Sequence, residues 1–325
     1  IVNSDWSSDV CSSDLDKATG VKPFVDKSTK IPIWKKSLFY VLGFIKLFFF
    51  VSILFANYIQ QLLFSKIPVI SRPLSKVFNF IQGYLLLALC GIYHVHASSV
   101  PLIQKVMFDD KWEKPKDGDV IFAPLCSFID LIWLVFKFSP IFVIPINQDS
   151  CVVKTFHKIM LEILTGKDIR KGKNVKIADV IKEAHDKKEG PVVIFPEAAP
   201  TNGAGLLKFV DINTEIIETA DPHIFVFQHE FKGVCPNYVC GNSFLYLLQV
   251  LGRGYEKMTV KIALAKDTPI LNGKIEPEST EKIRDIISKI SRIPKVEFVA
   301  DDYHEYLKEF TSKGKQKNRS EERRV

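Results

Sequence analysis

PVVIFPEAAPTNG, from Pro191 to Gly203, is the stretch that decides the fold. Its first half is a run of β-branched and aromatic residues too short for a helix. Its second half, from Pro196, is Glu, Ala, Pro, Thr, Asn and Gly. A buried strand therefore ends at Pro196-Glu197 and runs out into a loop. The same signature recurs in both directions. VIFAPL (Val120 to Leu125) and IFVIPI (Ile141 to Ile146) precede it, and IFVFQHEF (Ile224 to Phe231) and VKIALAK (Val260 to Lys266) follow. Between these runs Asn174 is placed to cap a helix reaching about Lys188, with Gly190 as its stop. Ser279 or Thr280 starts another that ends before Pro294. Strands alternating with helices predict an α/β layered domain over residues 94–312 with a largely buried sheet.

The ends of the chain do not belong to this pattern. IVNSDWSSDVCSSDL, residues 1–15, and RSEERRV, residues 319–325, resemble translated sequencing-adapter read-through and are set aside. They hold five acidic and three basic residues, so without them the net charge rises from +7 to +9. A 47% hydrophobic content with 25 Phe excludes a disordered chain and argues against a fully soluble one. The five remaining cysteines, Cys90, Cys126, Cys151, Cys235 and Cys240, are odd in number and lack Cys-x-x-Cys or Cys/His spacing. They read as scattered buried thiols of a reducing compartment, with neither a disulfide framework nor a metal site.

N-terminal to the domain, LFYVLGFIKLFFFVSILF (Leu38 to Phe55) is apolar except for Lys46, and as a helix it reaches about 27 Å, close to a bilayer core. A core helix of a soluble protein would not be apolar on every face over that length. The run is also too long for a cleavable signal peptide and lacks an Ala-x-Ala end. A second run, VFNFIQGYLLLALCGIY (Val77 to Tyr93), is shorter and carries Asn79 and Gln82, while Lys66, Pro68, Arg72, Pro73 and Lys76 lie where the chain would turn. Residues 37–93 thus predict a membrane hairpin, preceded by a basic tail, 16–36, and with a second basic tail at 313–318. Lys27, Lys30, Lys35 and Lys36 favour a cytosolic N-terminus. A mid-bilayer Lys46 would cost about 2.5–3.5 kcal/mol, which favours a hairpin entering one leaflet over one that spans. The basic excess then fits anionic lipid headgroups, and no nucleic-acid partner is expected.

Two loops at strand ends carry the chemistry, since strand ends are where sites collect in an open α/β sheet. In APLCSFIDLIWL a strand turns into a helix that holds one carboxylate, Asp130, amid apolar residues. Asp130 alone would also suit a helix start satisfied by backbone amides. In IFPEAAPTNG, Glu197 closes the strand, a place an ordinary loop residue also fills.

The two loops stand 67 residues apart behind a hydrophobic hairpin, and in that order they resemble a specific family. The chain looks like a divergent glycerolipid acyltransferase of the bacterial 1-acylglycerol-3-phosphate type. It is most similar to the fungal lysophosphatidic acid acyltransferase branch. That family carries His-x-x-x-x-Asp and then Phe-Pro-Glu-Gly-Thr, often continuing to Thr-Asn-Gly. Here the second of these reads Phe195-Pro196-Glu197-Ala198-Ala199-Pro200-Thr201-Asn202-Gly203. The resemblance implies a histidine that takes the proton of a lysophospholipid hydroxyl as it attacks an acyl-CoA thioester, with Asp130 orienting the imidazole. It implies a phosphate pocket formed by Glu197 and the loop through Thr201, Asn202 and Gly203. Basic support would come from Arg170 in TGKDIRKGK, with Lys167 and Lys208 beside it.

Two departures matter. Leu125 stands where the family has its histidine, and none of the seven histidines has Asp five positions on. His94 and His96, at the end of the hairpin, are the first candidates to replace it, and His229 a further one; Cys126, beside the vacant position, is a poor base. Ala198 and Ala199 replace Gly-Thr, and if Ala198 must take φ > 0 the alanine costs about 1 kcal/mol.

The expected function is acyl-CoA-dependent acylation of lysophosphatidic acid for glycerolipid synthesis, with acyl-CoA as co-substrate and no bound cofactor or metal. The place is the endoplasmic reticulum membrane or lipid-droplet surface, with the domain cytosolic. The alternative is an inactive membrane scaffold or lipid-binding protein on the same fold.

Overall fold

The computed structural model describes residues 15–29, 31–64, 68–100, 112–215, 220–263, 268 and 274–322. Two helices lead, α1 (Ile33–Phe64) and α2 (Pro68–Leu89), followed by β1 (Val95–Val100), β2 (Val120–Phe122), α3 (Phe128–Phe138), β3 (Ile141–Pro145), β4 (Ser150–Lys154) and α4 (Phe156–Thr165). Then come β5 (Asn174–Lys176), α5 (Ile177–Lys187), β6 (Val192–Ile194), β7 (Thr214–Glu215), β8 (Pro222–Glu230), α6 (Ser243–Gly252), β9 (Lys257–Ala263), β10 (Lys274–Ile275), α7 (Pro277–Ser291) and α8 (Ala300–Glu322).

The protein is mixed α/β. Its main sheet has the order β1-β9-β8-β2-β6-β3-β4-β5, and its centre, β8-β2-β6-β3, is parallel. Along the central strands alternate residues face opposite sides, and both sides are buried. Val120, Phe122, Val192, Ile194, Ile224 and Val226 pack with Ile177 and Ile181 of α5 and Ile283 and Ile287 of α7. Ile121, Val193, Phe225 and Phe227 face the other way, onto α3 and α4. Parallel strands buried on both faces explain why their sequences are continuous apolar runs rather than alternating ones.

Several boundaries differ from the sequence expectation. Asn174 caps no helix: it opens β5 and pairs with Val152, so α5 begins at Ile177 and ends at Lys188 in the left-handed region (φ 53°). α7 starts at Pro277, two residues before the expected Ser279, and stops before Pro294 as expected. The expected turn of the hairpin is displaced, because α2 starts at Pro68 and takes in Arg72 and Pro73, while Lys66 lies outside the described residues. The ends of the chain, 1–14 and 323–325, lie outside the described residues too, as do Lys30 and the expected last residues of the Val260 strand, 264–266.

α1 is long and apolar enough to cross a membrane. It is also fastened to the domain. A Cβ at Gly43 would lie 1.9 Å from Leu248 O, and one at Gly252 would lie 2.0 Å from Phe39 O, so only two glycines let α1 and α6 touch backbone to backbone. Lys46, which looked stranded in an apolar helix, turns inward. Its Nζ donates to Leu89 O (3.2 Å) and Arg253 O (3.1 Å), carbonyls at the C-terminal ends of α2 and α6, where a cation is favoured. Phe44, Phe48, Val51 and Phe55 face outward and are more than half exposed.

Candidate active site

The site lies at the C-terminal edge of the parallel strands. After β2 the chain turns through Ala123–Ser127 into α3, whose start is a capping box. Ser127 Oγ accepts Ile129 N–H (3.2 Å), and Asp130 Oδ2 accepts Ser127 N–H (3.1 Å). The second carboxylate oxygen of Asp130 is left over, and it meets His229: Nε2 to Oδ1 is 2.7 Å. Asp130 is therefore both the helix-start residue and the partner of a histidine.

Register explains the meeting. Phe225, Phe227 and His229 are two apart on β8 and share the face that α3 covers. Trp133 of α3 packs on Phe225 and Phe227, with ring centroids 6.2 and 5.7 Å away. Asp130 lies one turn before Trp133 on the helix, and His229 lies one step beyond Phe227 on the strand, so the packing of Trp133 sets the acid over the base.

His94 and His96 are not the replacement. They are exposed, and His96 sits in the outermost strand β1, paired with Thr259 of β9. Leu125 is fully buried and uses only its backbone: its N–H donates to Glu197 Oε2 (3.2 Å) and its carbonyl accepts Thr201 N–H (3.3 Å). Burial pushes the Cys126 thiol well above its ordinary range, with Glu197 and Asp130 adding to the effect, so it stays protonated.

A carboxylate accepts only, so the Nε2 hydrogen of neutral His229 points at Asp130 and the Nδ1 lone pair is the free basic one. That Nδ1 is buried and without a partner, as is Asn237 Oδ1 nearby on the loop after β8. Behind His229, Arg253 is paired with Glu256 and donates to Val234 O (2.8 Å). Burial raises the Glu256 carboxyl, with the neighbouring Arg253 guanidinium working against that shift.

The loop after β6 closes one wall. Glu197 is fully buried and accepts Leu125 N–H and Leu207 N–H (3.0 Å), so it braces the two motif loops with both oxygens. Burial pushes its pKa up to about 8, the two N–H donors working against that shift. Ala198 does adopt φ 50°, keeping the glycine-like course of the loop. Thr201 Oγ1 lies 3.7 Å from Cys126 Sγ and accepts Gly203 N–H (3.3 Å). A Cβ on Gly203 would lie 2.7 Å from Asn237 Nδ2.

Asn202 holds the N-terminal segment. Its Nδ2 donates to Lys22 O (2.7 Å) and Val25 O (2.6 Å), and its N–H to Pro23 O (2.9 Å). Residues 16–29, which looked like a basic tail, are thus bound to the domain, with Phe24 buried against Phe298, Tyr303 and Tyr306.

The expected basic residues are elsewhere. Arg170 pairs with Asp168 (3.1 Å) and Asp301 (2.7 Å) in a separate groove between the end of α4 and α8, which Lys167 also lines. Lys208 is exposed. No family model, curated protein or solved structure matches this chain.

Proposed function

We propose that the chain is an acyl-CoA-dependent lysophospholipid acyltransferase, acting on lysophosphatidic acid, in which His229 replaces the missing histidine at Leu125. The observation that carries this reading is the 2.7 Å bond between His229 and Asp130, with Nδ1 of the imidazole free. His229 Nδ1 takes the proton of the acceptor hydroxyl while that oxygen attacks the thioester carbonyl. The C–S bond then breaks, and the imidazolium returns the proton to the departing thiolate. Asp130 stabilises the imidazolium and fixes its orientation. The outward apolar face of α1 holds the protein on the endoplasmic reticulum membrane or lipid-droplet surface, with the domain in the cytosol and lipids as its partners.

The burial of the dyad favours a second reading. His229 and Asp130 side chains are only 5% and 1% exposed, which suits a lipid-binding scaffold whose old catalytic pair serves stability.

Purified full-length protein with labelled oleoyl-CoA and a panel of lysolipids separates the two. Turnover with lysophosphatidic acid that drops about 10²–10⁴-fold in both His229→Gln and Asp130→Ala supports catalysis. Absent turnover in wild type, or full activity in His229→Gln, removes His229 as the base.

A further inference from the structure

The dyad has a charged neighbour that neither motif loop supplies. β8 and β9 run antiparallel, with His229 opposite Met258. Met258, Val260 and Ile262 are buried in the same core cluster as Phe225 and Phe227, so His229 and Met258 share the face that α3 covers. Glu256 lies two residues before Met258 and is buried, while Lys257 between them is exposed. The pleat therefore turns Glu256 to the face of His229 as its diagonal neighbour, a separation of roughly 7–8 Å.

Arg253 holds Glu256 there. The two form a buried ion pair, and Arg253 also donates from Nη1 to Val234 O (2.8 Å) and from Nε to Val250 O (3.1 Å). It thereby ties the end of α6 to the loop after β8, which carries Asn237. The hairpin frames the pair: Lys46 Nζ donates to Arg253 O (3.1 Å), and Glu256 N–H donates to Gly91 O (2.9 Å). A guanidinium stays charged, so the pair is neutral only while Glu256 is ionised. The other titratable groups facing the dyad or the pair are Asp130 on α3, Glu197 in the wall loop, the buried thiol of Cys90 after α2, and the Cys126 thiol and Tyr246 hydroxyl, both kept protonated by burial.

We propose that Arg253 and Glu256 are positioning residues for the dyad, a charge-balanced pair that fixes the loop beside His229 and spares its imidazole a lone guanidinium. The proposal rests on the acyl-transfer reading and deepens it by naming what sets the base. Neither residue acts on the acceptor or the thioester directly. Without Glu256 the Arg253 cation faces His229 uncompensated, which disfavours the imidazolium; without Arg253 the lone carboxylate favours it.

The acid limb of kcat/KM against pH, measured with oleoyl-CoA and lysophosphatidic acid in mixed micelles, reports the imidazole. In the full-length protein Glu256→Gln should move that limb down by about one pH unit, and Arg253→Gln should move it up. The double variant Glu256→Gln/Arg253→Gln should return it to within about 0.3 pH unit of wild type. A merely structural pair would lower turnover in all three with the limb in place. That result, shifts of one sign, or a double variant that does not return overturns the proposal. Where Glu256→Gln does not fold, Arg253→Gln and the double variant keep the test: a raised limb that the second substitution restores upholds the pair, and an unmoved limb overturns it. If wild type gives no turnover, the titration of His229 is followed by NMR in histidine-labelled full-length protein, its signal being the one missing from His229→Gln. The same opposed shifts then uphold the pair while the acyl-transfer reading falls. Equal titration in all variants overturns the pair.

Discussion

Two of the polar networks buried among the described residues are finished to different degrees. In the hairpin, Asn57 of α1 donates to Asn79 (3.0 Å) and Gln82 (2.5 Å) of α2, and Gln60 donates to Asn79 (3.3 Å). Asn79 reaches on to Ser139 Oγ (3.0 Å), at the end of α3. These groups are neutral, and apart from Gln60 Oε1 none of their buried atoms lacks a partner. The network at the sheet edge is charged and open: His229 Nδ1, Asn237 Oδ1, Arg253 Nη2 and Glu256 Oε2 are all buried without one. An unmade buried hydrogen bond costs about 1–3 kcal/mol, so four in one neighbourhood are a standing cost that a purely structural network avoids. The seam that joins the helices leaves one buried atom unpaired against four at the sheet edge. A site must keep acceptors and donors for its ligand.

The largest effect should separate the networks by activity. If Asp130 and His229 act as a unit, the double variant Asp130→Ala/His229→Gln should be no slower than either single variant, each down about 10²–10⁴-fold. Additive losses in the acyl-transfer assay would mean that they act independently, and the open network would lose its catalytic explanation.

Glu197 tests the boundary between the networks, since it sits in the site yet is closed by two backbone donors. Its folded pKa is raised from 4.5 to about 8. A raised carboxyl holds its proton on folding, so its contribution is whole below 4.5 and is lost as pH rises through about 8. Unfolding free energy should fall across that window by at most about 1.4 kcal/mol per pH unit. Chemical denaturation at several pH values should show this slope in wild type and a flatter one in Glu197→Met. Identical slopes would show that Glu197 is ionised in the folded protein.

What could be read from the sequence divides along the same line. The hairpin and the buried strands announce themselves as contiguous runs, because burial on all sides needs only local composition. The capping role of Asp130 was also local. His229 was visible only as one distant histidine among others, and His94 and His96 drew attention by following the hairpin. The meeting of residues 99 apart depends on β8 lying beside β2 and on Trp133 seating α3, facts of sheet order that no spacing encodes. Period-two reading of IFVFQHEF does place His229 on the face of Phe225 and Phe227. Which helix covers that face is a tertiary outcome. The docking of residues 16–29 was hidden for another reason: apart from Phe24 and Ser28, the segment is bound mainly through backbone carbonyls, which leave no side-chain pattern.

The closed network should respond in stability alone. Asn79→Ala leaves Asn57, Gln60 and Ser139 each short of a partner, and should cost about 1–2 kcal/mol in detergent unfolding. Turnover per folded molecule should be unchanged. A fall in kcat without a fall in stability would mean that the hairpin seam is coupled to the dyad, and the two networks would be one.

The smallest effect concerns Ala198, where the motif loop has alanine at φ 50°. Left-handed backbone costs an alanine about 1–2 kcal/mol, which Ala198→Gly would remove. Glycine would lose about 0.4–1 kcal/mol through the greater freedom of the unfolded chain. It would also lose a methyl group that is fully buried in the main core, roughly 0.8 kcal/mol. The three nearly cancel, so Ala198→Gly should shift stability by less than about 1 kcal/mol and leave turnover intact. Ala198→Val adds a β-branched side chain at the same φ and extra volume in a packed site, and should cost at least about 2–3 kcal/mol. A large gain from glycine would mean that the buried methyl contributes little. A harmless valine would mean that the loop can leave its left-handed turn, and Glu197 would then not be held as a brace.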